Sequence, residues 1–155
     1  MIIRETTDIT GFHAHVYFDE ATRGAAERLR EQLTPRFALE LGRWHAQPVG
    51  PHTKPMYQVA FAGDQFAAVV PWLMLNRGGL SILVHPITDD PVADHEVNPL
   101  WLGEAVAIDV EFLRRVVKQK PLPSRVGHAG ASHIGAPTAE KRPGRSEKVV
   151  QMVDV

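Results

Sequence analysis

Residues 11–20 read GFHAHVYFDE, and the face that each of these side chains takes decides the rest. Apolar and polar residues alternate over about 12–18, which is the period of a β-strand. Ala14, Val16 and Phe18 then share one face, and His13, His15 and Tyr17 share the other. The first set is a core face. The second presents two imidazoles and a phenol, which is either the decoration of a wet surface or half of a metal site.

Working outward, Asp19 is placed to cap a helix over about 20–33, with Ala25, Leu29 and Leu33 as its buried stripe and Pro35 ending it. Residues 36–45, RFALELGRWH, set Phe37, Leu39 and Leu41 against Ala38 and Glu40, a strand with one wet face. A proline-rich loop, AQPVGPHTKP, leads to a third strand over 56–62. In GDQFAAVVPWLMLNRGG, Asp64 is a candidate cap, and Phe66, Val69, Val70 and Leu73 fall on one helical face. Gly78 or Gly79 supplies the stop. Pro71 opposes this helix, because an interior proline removes a hydrogen bond and costs ~3 kcal/mol. The spacing therefore predicts a kink or a helix whose first turn holds Pro71, with a strand over 65–70 as the alternative.

Residues 79–85, GLSILVH, form a fourth strand with Ile82 and Val84 inward and Ser81, Leu83 and His85 on the opposite face. PITDDPVADHEVNP reads as a polar loop and LWLGEAVAID as a short extended segment. Asp109 caps a last helix striped by Val110, Leu113, Val116 and Val117. The order strand–helix–strand–strand–helix–strand is the ferredoxin-like βαββαβ pattern, an α+β fold with an antiparallel sheet. That fold sets the fourth strand beside the first, running the opposite way.

The 155 residues suggest one domain over 1–118 followed by a Pro/Gly-rich basic tail over 119–155. Residues 1–117 carry 10 Lys/Arg and 15 Asp/Glu, whereas 118–155 carry 7 and 3. An acidic body with imidazoles on its open face argues against nucleic acid as a partner. No run approaches the ~20 apolar residues that span a bilayer, and MIIRETTDIT lacks a signal-peptide core, so a cytoplasmic protein that binds no membrane is expected. Cysteine is absent, which leaves nitrogen and oxygen as the only donors for a metal. Leu83 and Tyr17 on the histidine face suggest that a second copy covers it, so a homodimer is expected.

Antiparallel neighbours would bring His85, at the end of strand four, to His13 and His15, early in strand one. Same-face residues on a strand stand about 7 Å apart. Metal–nitrogen bonds of ~2.1 Å plus two imidazole reaches span that gap. His13, His15 and His85 are therefore the candidate metal ligands, and His45 and His52, flanking the proline-rich loop, add to the count. Tyr17 shares the face and is placed to hydrogen-bond a substrate. His128 and His133, in the tail, are taken as inert. Asp94-His95 is read in preference as a solvated loop, against a carboxylate ligand or a lid. Trp44, Trp72 and Trp101 are read as structural anchors, and Arg43 and Arg77 as surface charge in preference to carboxylate binders.

The strings FHAHVYFD, GRWHAQPVGPH, VPWLMLNRGGLSILVHP, DH and LWLG, in this order over about 11–117, resemble the DOPA 4,5-dioxygenase family. Family members usually read GPHP and HPNTGDD-like strings where this chain has GPHTKP and HPITDDPVADH, which bears on substrate choice. The resemblance implies an extradiol-type cleavage of a catechol such as DOPA by O2 at a non-haem Fe(II). Zinc or another divalent ion can occupy such a site in purified protein. It implies His13, His15 and His85 as ligands and His52 as a fourth ligand or the acid–base residue. His45 would face the substrate or support a ligand from behind. Such iron sites usually include a carboxylate. Glu40 and Glu96 are poorly placed for one, so a three-histidine set is preferred. The alternatives are a zinc hydrolase on the same scaffold and a non-catalytic ferredoxin-like binding or dimerisation module.

Overall fold

The computed structural model describes residues 3–119. Strand β1 (Gly11–Tyr17) is followed by α1 (Arg23–Leu33), β2 (Leu39–His45), β3 (Met56–Phe61), α2 (Phe66–Asn76) and β4 (Ser81–Ile87). A short helix α3 (Pro91–Glu96), a three-residue strand β5 (Leu100–Leu102) and helix α4 (Val110–Gln119) complete it. The sheet order is β2-β3-β1-β4-β5, antiparallel throughout. This is the ferredoxin-like order with β5 added beside β4, so the expected α+β fold is the observed one. The tail, with His128 and His133, lies outside the described residues, apart from Gln119, which closes α4.

Alternation along the strands sorts the side chains as the sequence predicts. Ala14, Val16, Tyr57, Val59, Phe61, Ile82 and Val84 meet Ala26, Leu29 and Leu33 of α1 and Val69, Val70 and Leu73 of α2 in one buried cluster. The buried stripe of α1 begins at Ala26, while Ala25 packs at its margin. Trp44 belongs to this side, stacked on Phe18 at 4.1 Å and on Tyr57 at 5.5 Å between ring centroids. β4 runs through Pro86, which pairs with Phe12 on β1. β5 reaches only Ile82–Val84, so the proline sits where β4 has one neighbour and its missing N–H breaks no ladder.

Two of the three expected helix caps are not observed. Asp19 does not cap α1: its Oδ1 accepts from Thr22 N at 2.9 Å and Thr22 Oγ1 at 2.8 Å, closing a turn ahead of the helix. Asp64 does not cap α2 either, because a 3₁₀ turn over Gly63–Gln65 feeds directly into it. Asp109 does cap α4, accepting from Phe112 N at 2.9 Å. Pro71 lies inside α2, past its first turn, and the strand alternative over 65–70 is overturned. Pro71 and Ala67, whose carbonyl loses its helical partner, are both exposed, so water can replace the bond while Val69, Val70 and Leu73 bury the opposite side.

The loop reading of residues 86–99 is also corrected. The Asp-Pro pair at 90–91 starts α3, with Asp90 Oδ1 accepting from Ala93 N at 3.0 Å and Pro91 in the first helical position. Asp94 is buried, not solvated, and its two oxygens accept from Thr88 N at 2.8 Å and Thr88 Oγ1 at 2.7 Å. The second sheet face is covered by the chain's own loops. Tyr17, Met56 and Leu83 form a second buried cluster, packed by Val49, Trp101, Val106 and Ile108. Leu83 and Tyr17 therefore need no second copy to cover them, and the premise of the expected homodimer is withdrawn.

Leu73 is fully buried and its neighbour Leu75 is 87% exposed. Leu73→Ala is expected to lower unfolding stability by about 2–5 kcal/mol, and Leu75→Ala by less than about 0.5 kcal/mol, in denaturant titrations.

Candidate metal centre

His13 and His85 are directly paired across β1 and β4, and His15 pairs with Leu83 one step along. With side chains alternating on both strands, the three imidazoles stand on the same face. The ring of His13 meets those of His15 and His85 edge-on at 5.8 and 5.3 Å. His15 and His85 are nearly parallel at 5.2 Å, with their Nε2 atoms 3.0 Å apart. One potential donor nitrogen from each of the three lies within 4.8 Å of the others.

The covering loops deliver two further histidines. Gly50 has φ +58°, a conformation that side-chain-bearing residues rarely take, and it lets the turn from Val49 to His52 close with His52 N donating to Val49 O at 3.0 Å. Bridges from His52 to Val49 and Ile108 hold that loop over the sheet, and Asp109 N donates to Pro51 O at 2.8 Å. The His52 ring thereby comes to 4.2 Å from that of His15, and its Nδ1 to 2.7 Å from the Tyr17 hydroxyl. α3 brings His95 to 4.0 Å from His85, ring to ring. His15, His52 and His95 form a second set of donors within 4.8 Å.

His45 lines the same cavity at the end of β2, beside Arg43. Its orientation depends on a break in the β2–β3 register between Leu41 and Trp44. Unbroken alternation would set His45 on the face of Leu39 and Leu41, inside the core. The irregularity keeps Trp44 in the core and turns His45 to the cavity. Arg77, in contrast, donates to Leu80 O at 2.9 Å and is structural. Trp101 stacks on Tyr17 at 5.9 Å and so anchors the histidine face. Glu96 pairs with Arg114 on the surface at 2.7 Å, and Glu40 is exposed. Asp94 is committed to Thr88. Neither proposed set of donors includes a carboxylate.

Burial makes the charged form of these rings costly. Desolvation lowers His13 to about 4 and His52 to about 3, and holds His15, His85 and His95 below the ordinary imidazole range. Burial raises the Tyr17 hydroxyl, which stays protonated. Neutral imidazole is the form that binds a metal. Two nitrogens 3.0 Å apart need a proton or a cation between their lone pairs. That separation also matches two ligands at right angles on bonds of about 2.1 Å. His15 Nδ1 is buried without a hydrogen-bond partner. A divalent ion thus fits the donor set on geometry, protonation and chemistry.

Sequence reasoning missed His95. Its signal was the Asp-Pro helix start, which puts residue 95 one turn beyond Pro91, and Pro91 itself lies only four residues past the end of β4.

Fold and site together define a small α+β protein with a histidine cluster able to hold a metal ion. Its sequence identifies its kin: the Dopa 4,5-dioxygenase family model matches residues 12–112, and the chain belongs to that family. It is 32% identical over 139 residues to a DOPA 4,5-dioxygenase of Amanita muscaria, covering 82% of this chain and 61% of that one. It is 35% identical over 121 residues to an uncharacterised 21.2 kDa protein of Botryotinia fuckeliana, covering 70% and 66%. The chain thus spans somewhat under two thirds of each curated relative. A crystal structure of a "putative dioxygenase" from Nostoc punctiforme PCC 73102 is similar at TM-score 0.73 and 60% identity, covering 74% of this chain and 99% of that one.

With the folded-state values depressed, the unfolded chain binds more protons below about pH 6.5. The histidines' contribution to stability is thus intact above that pH and is lost as pH falls toward about 4 and 3, the values of His13 and His52. The melting temperature of chelator-treated protein is expected to fall steeply across that window. A flat profile from pH 7 to pH 4 would contradict the burial of neutral imidazoles.

Proposed function

We propose that this protein is a non-haem iron dioxygenase of the extradiol type, opening the ring of a catechol such as DOPA. The observation that carries the reading is the convergence of His13, His15 and His85 on one covered sheet face in a member of the Dopa 4,5-dioxygenase family. A ferrous ion held by these residues would supply a common binding point for the catechol oxygens and O2, and a path for electrons between them. An all-imidazole set suits such an ion and also suits zinc.

The chain's own groups take the remaining roles. His52, neutral and hydrogen-bonded to Tyr17, accepts a proton from the catechol and returns it as the ring opens. In this reading Tyr17 holds the proton on the far side of His52, in place of the direct substrate contact expected from sequence. His45, at the cavity wall, faces the substrate. The ring-cleaving unit is taken to be residues 1–118, a cytoplasmic enzyme that binds neither nucleic acid nor membrane. Among the described residues no helix is long and apolar enough to cross a membrane.

The decisive experiment is oxygen uptake by the iron-loaded protein with a panel of catechols. Stoichiometric O2 consumption and a yellow ring-opened product are expected. A tight colourless zinc site with no O2 uptake would favour the hydrolase, and no metal and no turnover the binding module. His52→Ala is expected to lower kcat by roughly 10²–10⁴-fold with iron content unchanged. A homodimer would have to use a surface other than the histidine face; light scattering tests it, and a monomer mass would overturn it.

A further inference from the structure

Metal-binding histidines usually donate their second ring N–H to a carbonyl or carboxylate, which fixes the tautomer and aims the other nitrogen. Two rings in the cluster have this arrangement. His85 Nδ1 lies 2.7 Å from Pro86 O, and His95 Nδ1 lies 2.8 Å from Pro91 O. A carbonyl can only accept, so both rings carry hydrogen on Nδ1 and keep the lone pair on Nε2. The other rings lack it. His15 Nδ1 has no partner, and His52 Nδ1 faces a hydroxyl, which can donate or accept.

His95 is also central. Its ring lies 4.0 Å from that of His85, 5.9 Å from His15 and 6.0 Å from His52. The two donor sets share His15, and His95 belongs to the second. Its position does not depend on an ion, because α3 is anchored three times over: Asp90 caps it, Asp94 is bonded to Thr88, and Glu96 is paired with Arg114. The carboxylate next to it is occupied by Thr88. The imidazole is therefore the donor that α3 offers.

We propose that His95 is a ligand of the metal ion bound by His15, the residue common to both donor sets, so that α3 closes the centre and no carboxylate enters it. The ion would then tie two separate segments together: β1 and residues 91–96. This inference rests on the metal reading above but not on iron or on a catechol substrate.

The test uses Co(II) as the probe on the full chain, freed of metal by a chelator and held at mildly alkaline pH, where imidazoles are neutral. Affinity, the visible absorption of bound Co(II) and hydrogen exchange across residues 91–96 are measured for the wild type and four variants: His95→Ala, His95→Gln, His85→Ala and Glu96→Gln. Glu96→Gln disturbs α3 without removing a donor and is expected to bind as the wild type does. Both His95 variants are expected to lose roughly 10-fold or more in affinity, to change the Co(II) spectrum, and to lose the metal-dependent protection of 91–96. Should His95→Ala not fold, His95→Gln carries the comparison. If His95 variants keep wild-type affinity and spectrum while His85→Ala loses Co(II), the proposal falls and the metal centre stands. If the wild type takes up no Co(II), both fall.

Discussion

The antiparallel pairing of β1 with β4 is the constraint on which the structure turns. Its register sets His13 against His85 and, on the opposite face, Ala14 beside Val84 and Val16 beside Ile82. One ladder of backbone hydrogen bonds thus builds the core and the candidate metal centre together. A slip of one residue would send imidazoles into the core and valines into the cavity. The apolar face is what holds the register, since its burial under α1 and α2 is lost in any other pairing.

A cluster of five neutral imidazoles is an unusual thing to cover. Each ring gives up solvation, and a proton on any one would repel a proton on the next, so the pocket disfavours charge throughout. Such an arrangement is compatible with folding only while the rings stay neutral. It does hold several lone pairs at short range, and a divalent cation is the species that gains from that. The carbonyls of Pro86 and Pro91 fix which nitrogen of two of the rings is offered.

The covering segments explain how a ferredoxin-like sheet hides its second face within one chain. Loop 46–55, the stretch after β5 and α3 are pinned by short polar contacts: His52 to Ile108, Asp109 to Pro51, Thr53 to Ala107 and Thr88 to Asp94. The first three join residues far apart in sequence, and the last folds α3 back on the end of β4. The apolar cluster of Tyr17, Met56 and Leu83 beneath them does for this face what the helices do for the other.

Much of this was legible in the amino-acid order. Strand alternation alone separated Val16 from His15 and Val84 from His85, because side-chain direction in a strand is a local property. Helix stripes and the Asp109 cap were local as well. What only the tertiary structure decided was everything that depends on contacts between distant segments. The irregularity in β2 that turns His45 outward is visible only against β3. The seating of α3, which carries His95, is secured by Glu96 pairing with Arg114 of α4, and the docking of His52 needs residues 107–109. Local periodicity determines which way a side chain leaves its own strand. Which loops come to rest above it is decided by the packing and hydrogen bonds of the whole chain.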